Sequence, residues 1–228
     1  VAVWDVLGQA VQSVGAVGAD VFDRLRGLTG SGTQGRQAAF SMAVVALAAK
    51  MAKADGVVTM SEQTSFWNRF DVPESAQRPI RRLFDFAQQD VAGFEAYARK
   101  IARMFPGDEE VQEDILDILF TIAAADGVIH ENELDFLDRV AEIFDLDAVK
   151  WSRIKARHMQ PDSDPFVVLG LQRGATRTEI TKRYRELVRE HHPDRLIARG
   201  VPEEFVRIAT DRLAAINSAY ATALARTS

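Results

Sequence analysis

An all-α fold is predicted by three observations. Apolar residues recur at spacings of three and four along the patterned stretches, no segment shows the alternation of a half-buried strand, and the stretches are closed by Gly or Pro. Phe40, Ala43, Val44, Leu47, Ala48 and Met51 set the first strong stripe, an amphipathic helix predicted to end near Asp55 and Gly56. The same pattern predicts helices over about 61–70, 74–88, 91–104, 109–125, 132–144 and 147–158. A capped helix from Thr176 to about His191 and a last apolar stripe on Phe205, Ile208, Leu213, Ile216, Tyr220 and Leu224 complete the set.

Punctuation divides the chain. Residues 1–33 form an apolar, Gly-rich N-terminal segment ending in the flexible run GLTGSGTQG (27–35), and a first helical domain spans 34–158. The polar, Pro-bearing stretch at 159–163 is a linker, and a second domain covers 164–228. The start at Val1 rather than Met reads as trimmed or processed. Asp5, Gln9, Gln12 and Asp20 interrupt the apolar character of 1–28, and an aspartate near a bilayer centre costs about 2.5–3.5 kcal/mol, so this segment is not expected to span a membrane. Peripheral attachment, or a place behind an anchor further upstream, is the expectation for it. It also lacks the basic start and clean apolar run of a signal peptide.

Composition narrows the chemistry. With 47% hydrophobic and 27% charged residues the chain is ordinary globular protein, and the absence of Cys removes disulfides, thiolate metal sites and thiol nucleophiles, in keeping with the cytoplasm. The net charge of −5 is unevenly spread. From Asp164 onward there are 11 Lys and Arg against 8 Asp and Glu, leaving 17 and 25 of the chain's 28 and 33 for the first part. A mildly basic module on an acidic one suits an acidic protein surface, and its small excess argues against nucleic acid.

The chain repeats itself once. AKADGVVTMSEQ (52–63) and AAADGVIHENEL (123–134) each close an Ala-rich helix with Ala-Asp-Gly and place a glutamate seven residues after the aspartate, pairing Asp55 with Glu62 and Asp126 with Glu133. Thr59 and Glu62 have capping-box spacing, so a helix cap is one reading of Glu62. The other is that the corners meet and four carboxylates hold calcium or magnesium, although the dense alternating ligands of an EF-hand loop are absent. The doubled corner in an acidic helical domain resembles the TerB family of tellurite-resistance-type modules over about 120 residues. That resemblance implies a helical bundle used for association, with metal binding in some settings, rather than a catalytic activity.

Thr176 and Glu179 form a capping box. At about 100° per residue Ile180, Tyr184, Leu187, Val188 and His191 share one face, and Lys182, Arg185 and Arg189 form a basic ridge on the opposite one. Pro193 cannot continue the helix, so it stops near His191 and a rigid corner, REHHPDRL (189–196), follows. A 65-residue module of this kind has a thin core, so both apolar stripes are needed.

DPFVVLGL, ATRTEITKRYRELVREHHPD and AINSAYATAL, in that order over 164 to about 224, resemble a J domain, the DnaJ-type module that activates DnaK-type chaperone ATPases. EHHPDRLIARGVPEEF behind a TerB-like domain is further similar to the DjlA group, which are membrane-anchored bacterial co-chaperones. The resemblance implies a TerB-like bundle followed by a small J-domain helical hairpin fold. His192, Pro193 and Asp194 would be the activating corner, Lys182, Arg185 and Arg189 the docking ridge, and Tyr184 and Asn217 would help to position the corner. Glu186 and Glu190 depart from the family by placing negative charge beside the ridge, which should weaken or retune docking. The chain also lacks the Gly/Phe linker and zinc-binding Cys repeats of full DnaJ proteins, so their mode of holding clients is not carried over.

The expectation is a non-enzymatic co-chaperone with a DnaK-type partner, its TerB-like domain addressing a client or membrane-associated partner, in the cytoplasm or at the inner membrane. The rival is an adaptor with an inert J fold and a metal-binding TerB-like domain. An enzyme built on His191, His192 and Asp194 is disfavoured because adjacent residues at a helix end point about 100° apart and no nucleophile or phosphate loop accompanies them.

Overall fold

The structure is a computed structural model that describes residues 3–14, 33–54, 64, 67, 72–89, 91–159 and 164–227. Every regular element among them is helical. The first bundle is built from α1 (Val3–Val14), α2 (Thr33–Met51), α3 (Glu74–Ala87), α4 (Phe94–Met104), α5 (Glu109–Ala123), α6 (Glu131–Ile143) and α7 (Ala148–Met159). The C-terminal module follows with α8 (Pro165–Leu169), α9 (Arg177–Glu190), α10 (Pro193–Ala198) and α11 (Val206–Arg226). The predicted helices at 74–88, 91–104, 109–125, 132–144 and 147–158 are all present; that at 61–70 and the linker at 160–163 lie outside the described residues.

The sequence predicts α2 to be amphipathic, and here the structure differs. Residues 40–52 are buried on every side, because α1, α3, α4 and α5 surround the helix. Its one charged side chain near the end, Lys50, is accommodated by donating from Nζ to the Ala92 carbonyl at 2.8 Å.

The N-terminal segment is also more than an appendage in its first part. Val3, Trp4, Leu7 and Val11 are buried in the bundle core, with α1 laid against α2 and α3. Among the described residues no helix is long and apolar enough to cross a membrane.

The last apolar stripe divides between two cores. Ile216, Ala219 and Ala223 join Phe166, Leu169, Ile180 and Leu187 in a small cluster belonging to the C-terminal module. Phe205, with Leu196 and Val201, instead lies in the large upstream core, where its ring packs 5.2 Å from Phe40 and 5.7 Å from Trp4. The expectation that Phe205 zips against the capped helix is therefore corrected. A thin core is supplemented by sharing a neighbour's.

Candidate functional site

The site is set by how α9 begins and ends. Its start is the predicted capping box: Glu179 Oε2 accepts from Thr176 N at 2.7 Å, and Thr176 Oγ1 accepts from Glu179 N at 3.3 Å. Its end is His191, whose backbone N–H still donates to Leu187 O at 2.9 Å. Pro193 then does two things. It ends one helix and, at the first position of α10, starts another, since a missing N–H is no loss there. The expected rigid corner is thus a helix-to-helix junction. His192 caps α10, its Nδ1 accepting from Asp194 N at 3.3 Å.

The corner faces solvent. The Asp194 side chain is 84% exposed and that of His192 50%, and the Asp194 carboxylate stands 3.6 Å from the imidazole. Lys182, Arg185 and Arg189 are exposed along α9 and make no ion pair among the described residues. With Arg177, Thr178, Thr181 and Glu186 they line an open groove of about 540 Å³. A shallower depression of about 360 Å³, mostly apolar, is lined by Tyr184, Arg185, Val188, Arg189, His192 and Arg195, and so joins ridge to corner. An exposed carboxylate beside unpaired cations can accept a charged fork and offer a weak electrostatic grip to one partner surface.

Tyr184 and Asn217 are brought together. Tyr184 Oη donates to Asn217 Oδ1 at 3.0 Å, and the Tyr184 ring stacks on Tyr220 with centroids 4.0 Å apart. They tie α9 to α11, and only Tyr184 also borders the depression beside His192. Glu186 and Glu190 are not loose charges against the ridge. Arg183 Nη1 lies 3.2 Å from Glu186 and 3.6 Å from Glu190, which offsets both.

The family described as tellurite resistance protein TerB matches residues 41–156, and the DnaJ domain matches 164–222. The chain belongs to the TerB family and carries a DnaJ domain behind that match. Similar proteins include the co-chaperone protein DjlA of Photobacterium profundum, 27% identical over 85% of this chain and 80% of that protein, and that of Aliivibrio fischeri, 26% identical over 81% and 77%. The co-chaperone protein DjlA of Coxiella burnetii is 28% identical over 75% of this chain and 71% of its own length. No solved structure matches.

In this TerB-family chain the paired Asp-Gly corners are only partly in view. Asp55 and Glu62 lie outside the described residues, and Asp126 is described only as the end of the 3₁₀ turn Ala124–Asp126. Glu133 is buried and accepts from His130 N at 2.8 Å, the cap that its spacing from His130 allows. Among the described residues no group of three or more His, Asp or Glu is arranged to hold a metal ion.

Sequence reasoning missed a buried ionic cluster directly behind the corner. Glu113, Asp114 and Asp117 on α5 are buried and face Arg153, Arg157 and His158 of α7 and Arg212 of α11. Arg212 Nε donates to Asp117 Oδ2 at 2.7 Å, Arg157 Nη2 donates to Asp117 Oδ1 at 2.9 Å, and Arg212 Nη1 is 2.9 Å from Asp114 Oδ1. These cations hold Asp117 well below the usual carboxylate range despite its burial. Asp114 receives no well-aligned hydrogen bond on Oδ1, so burial wins over Arg212 and pushes it up to about 7.

His191 completes the cluster. Its Nδ1 lies 3.1 Å from Arg212 Nη1, which can only donate, so the ring is neutral; burial first, then Arg212, drives its pKa down to about 2. The reading of His191 as part of an apolar face is corrected to a buried polar one. A weak signal was present in the sequence: Glu113, Asp114 and Asp117 fall among the apolar residues of α5 rather than in its acidic first turn, and Arg153 and Arg157 are one helical turn apart.

Proposed function

We propose that this protein stimulates ATP hydrolysis by a DnaK-type chaperone, with His192, Pro193 and Asp194 as the trigger and Lys182, Arg185 and Arg189 as the docking ridge. The observation that carries this reading is an 84% exposed Asp194 carboxylate just beyond a helix whose exposed Lys182, Arg185 and Arg189 make no ion pair among the described residues. A bidentate arginine on the partner would find its acceptor there, and the ridge would meet an acidic surface. The similarity to proteins named as co-chaperones supports the same role.

The protein contributes no chemistry of its own on this reading; it lowers the barrier to its partner's hydrolysis. Exposed ion pairs contribute about 0.2–1 kcal/mol each and are screened by salt, so three ridge cations give a brief, salt-sensitive encounter. The TerB-like bundle is proposed to bring the module to a client or membrane-associated partner, on the cytoplasmic side of the inner membrane. Its Asp-Gly corners are proposed as part of that association surface, with calcium or magnesium as the ligand to titrate.

The test is steady-state ATP turnover by a bacterial DnaK-type chaperone across a salt series. The native protein should raise turnover, with half-saturation moving to higher concentration as salt rises. Arg185→Glu should need roughly tenfold more protein to half-saturate and show a flatter salt dependence. Turnover that does not respond to the native protein would refute the proposal.

A further inference from the structure

We propose that the TerB-like bundle positions the corner of the J module, with Arg199 as the positioning residue that joins α10 to it. This rests on the reading of the corner as the trigger.

His192 caps α10, so the direction of the corner is the direction of α10. A helix of six residues has no stability of its own and takes its orientation from what it packs on. Among the described residues, the cluster that forms the core of the J module includes none between Leu187 and Leu213. Apart from the contact of α10 with α11 of the same module, its supports lie in the other domain. Leu196 and Val201 are buried in the upstream core. Arg199 Nη1 is 2.9 Å from Asp108 Oδ1 and also pairs with Glu110, both at the start of α5. Arg195 reaches across from the corner side, 3.8 Å from Glu110 while donating to Arg189 O at 3.2 Å.

The residue before the corner is fixed from the same helix. His191 meets Arg212, and Arg212 is bound by Asp114 and Asp117 of α5. Both flanks of residues 192–194 are therefore attached to α5, although the corner belongs by sequence to the other domain. A weakly gripping surface gains most when its groups are already aimed, because little ordering remains to be done on binding.

The experiment titrates the full chain into a DnaK-type chaperone and follows ATP turnover for the native protein, Arg199→Met and Arg199→Lys. A corner that has lost its aim while the ridge is intact should lower the maximal stimulation by about fivefold or more and leave the half-saturating concentration within about twofold. Arg199→Lys, which keeps a charge facing Asp108 and Glu110, should restore most of the maximum. Partial unfolding acts differently: it removes active molecules, moves half-saturation to higher concentration and spares the maximum. That result, or an unchanged curve for Arg199→Met, would overturn the proposal. Backbone amide signals of His192 and Asp194 give a readout that needs no partner. They should shift in Arg199→Met and return in Arg199→Lys, and signals that stay in place would overturn the positioning role even if no chaperone responds. A native protein without effect on turnover would count against the trigger reading alone.

Discussion

His191 is 6% exposed and accepts from Arg212, whereas half of the His192 side chain next to it is in water. The buried member gives a prediction about pH. Its folded pKa of about 2 lies below its ordinary 6.5, so the unfolded chain takes up a proton that the fold refuses, and this stability is lost as pH falls below 6.5. Asp114 has the opposite sign. Raised from 3.8 to about 7, it keeps a proton in the fold that the unfolded chain releases, so its contribution is lost as pH rises from about 4 to 7. Over the shared window the two slopes, each about 1.4 kcal/mol per pH unit, cancel. Gln at 191 can accept from Arg212 without titrating. His191→Gln should therefore unmask Asp114 and be more stable at pH 5 than at pH 7 by on the order of 2 kcal/mol, while the native chain changes little. Urea unfolding at both pH values checks this, and equal differences in the two proteins would contradict it.

Among the elements, α8 ends against a contact across the two domains. Gly170 closes it at φ 69°, and a Cβ there would lie 3.0 Å from Arg153 Nη1 and 3.1 Å from Arg153 Cδ. The residue must adopt a left-handed conformation and let a bundle arginine pass. Gly170→Ala should cost about 1–2 kcal/mol from the backbone alone. At about 2–4 °C per kcal/mol for a chain of this size, calorimetry should show a loss of several degrees. A melting temperature within a degree of native would mean the arginine yields and the backbone carries no strain. The elements around it show what a sequence can and cannot disclose. The capping box of α9 and the stop at His191 follow from local chemistry, and both were legible. Phe205 and Leu196 were not, because periodicity assigns a residue to a face and cannot say which of two cores the face meets. The ridge and the exposed corner were readable from spacing. The cluster behind them left only a weak signal, since buried acids and surface acids look alike until their partners are known.

At the scale of the molecule the two domains share a core and a buried set of charges. The carboxylates of α5 meet cations contributed by both α7 and α11, and α10 rests on the start of α5. Replacing one member of such a cluster is costly because the rest stay buried without a partner. The cluster therefore favours one arrangement of the bundle and the J module, and the corner is presented on its outside. What the whole chain does with that corner comes down to one carboxylate. Asp194→Asn changes an exposed group that no core contact needs and keeps the backbone N–H that His192 caps. The decisive measurement is ATP turnover by a DnaK-type chaperone with the native protein and with Asp194→Asn, at matched helicity and melting temperature. The account predicts that the variant docks with nearly native salt dependence and stimulates turnover by less than about a tenth of the native increase. Equal stimulation by the two proteins would contradict it.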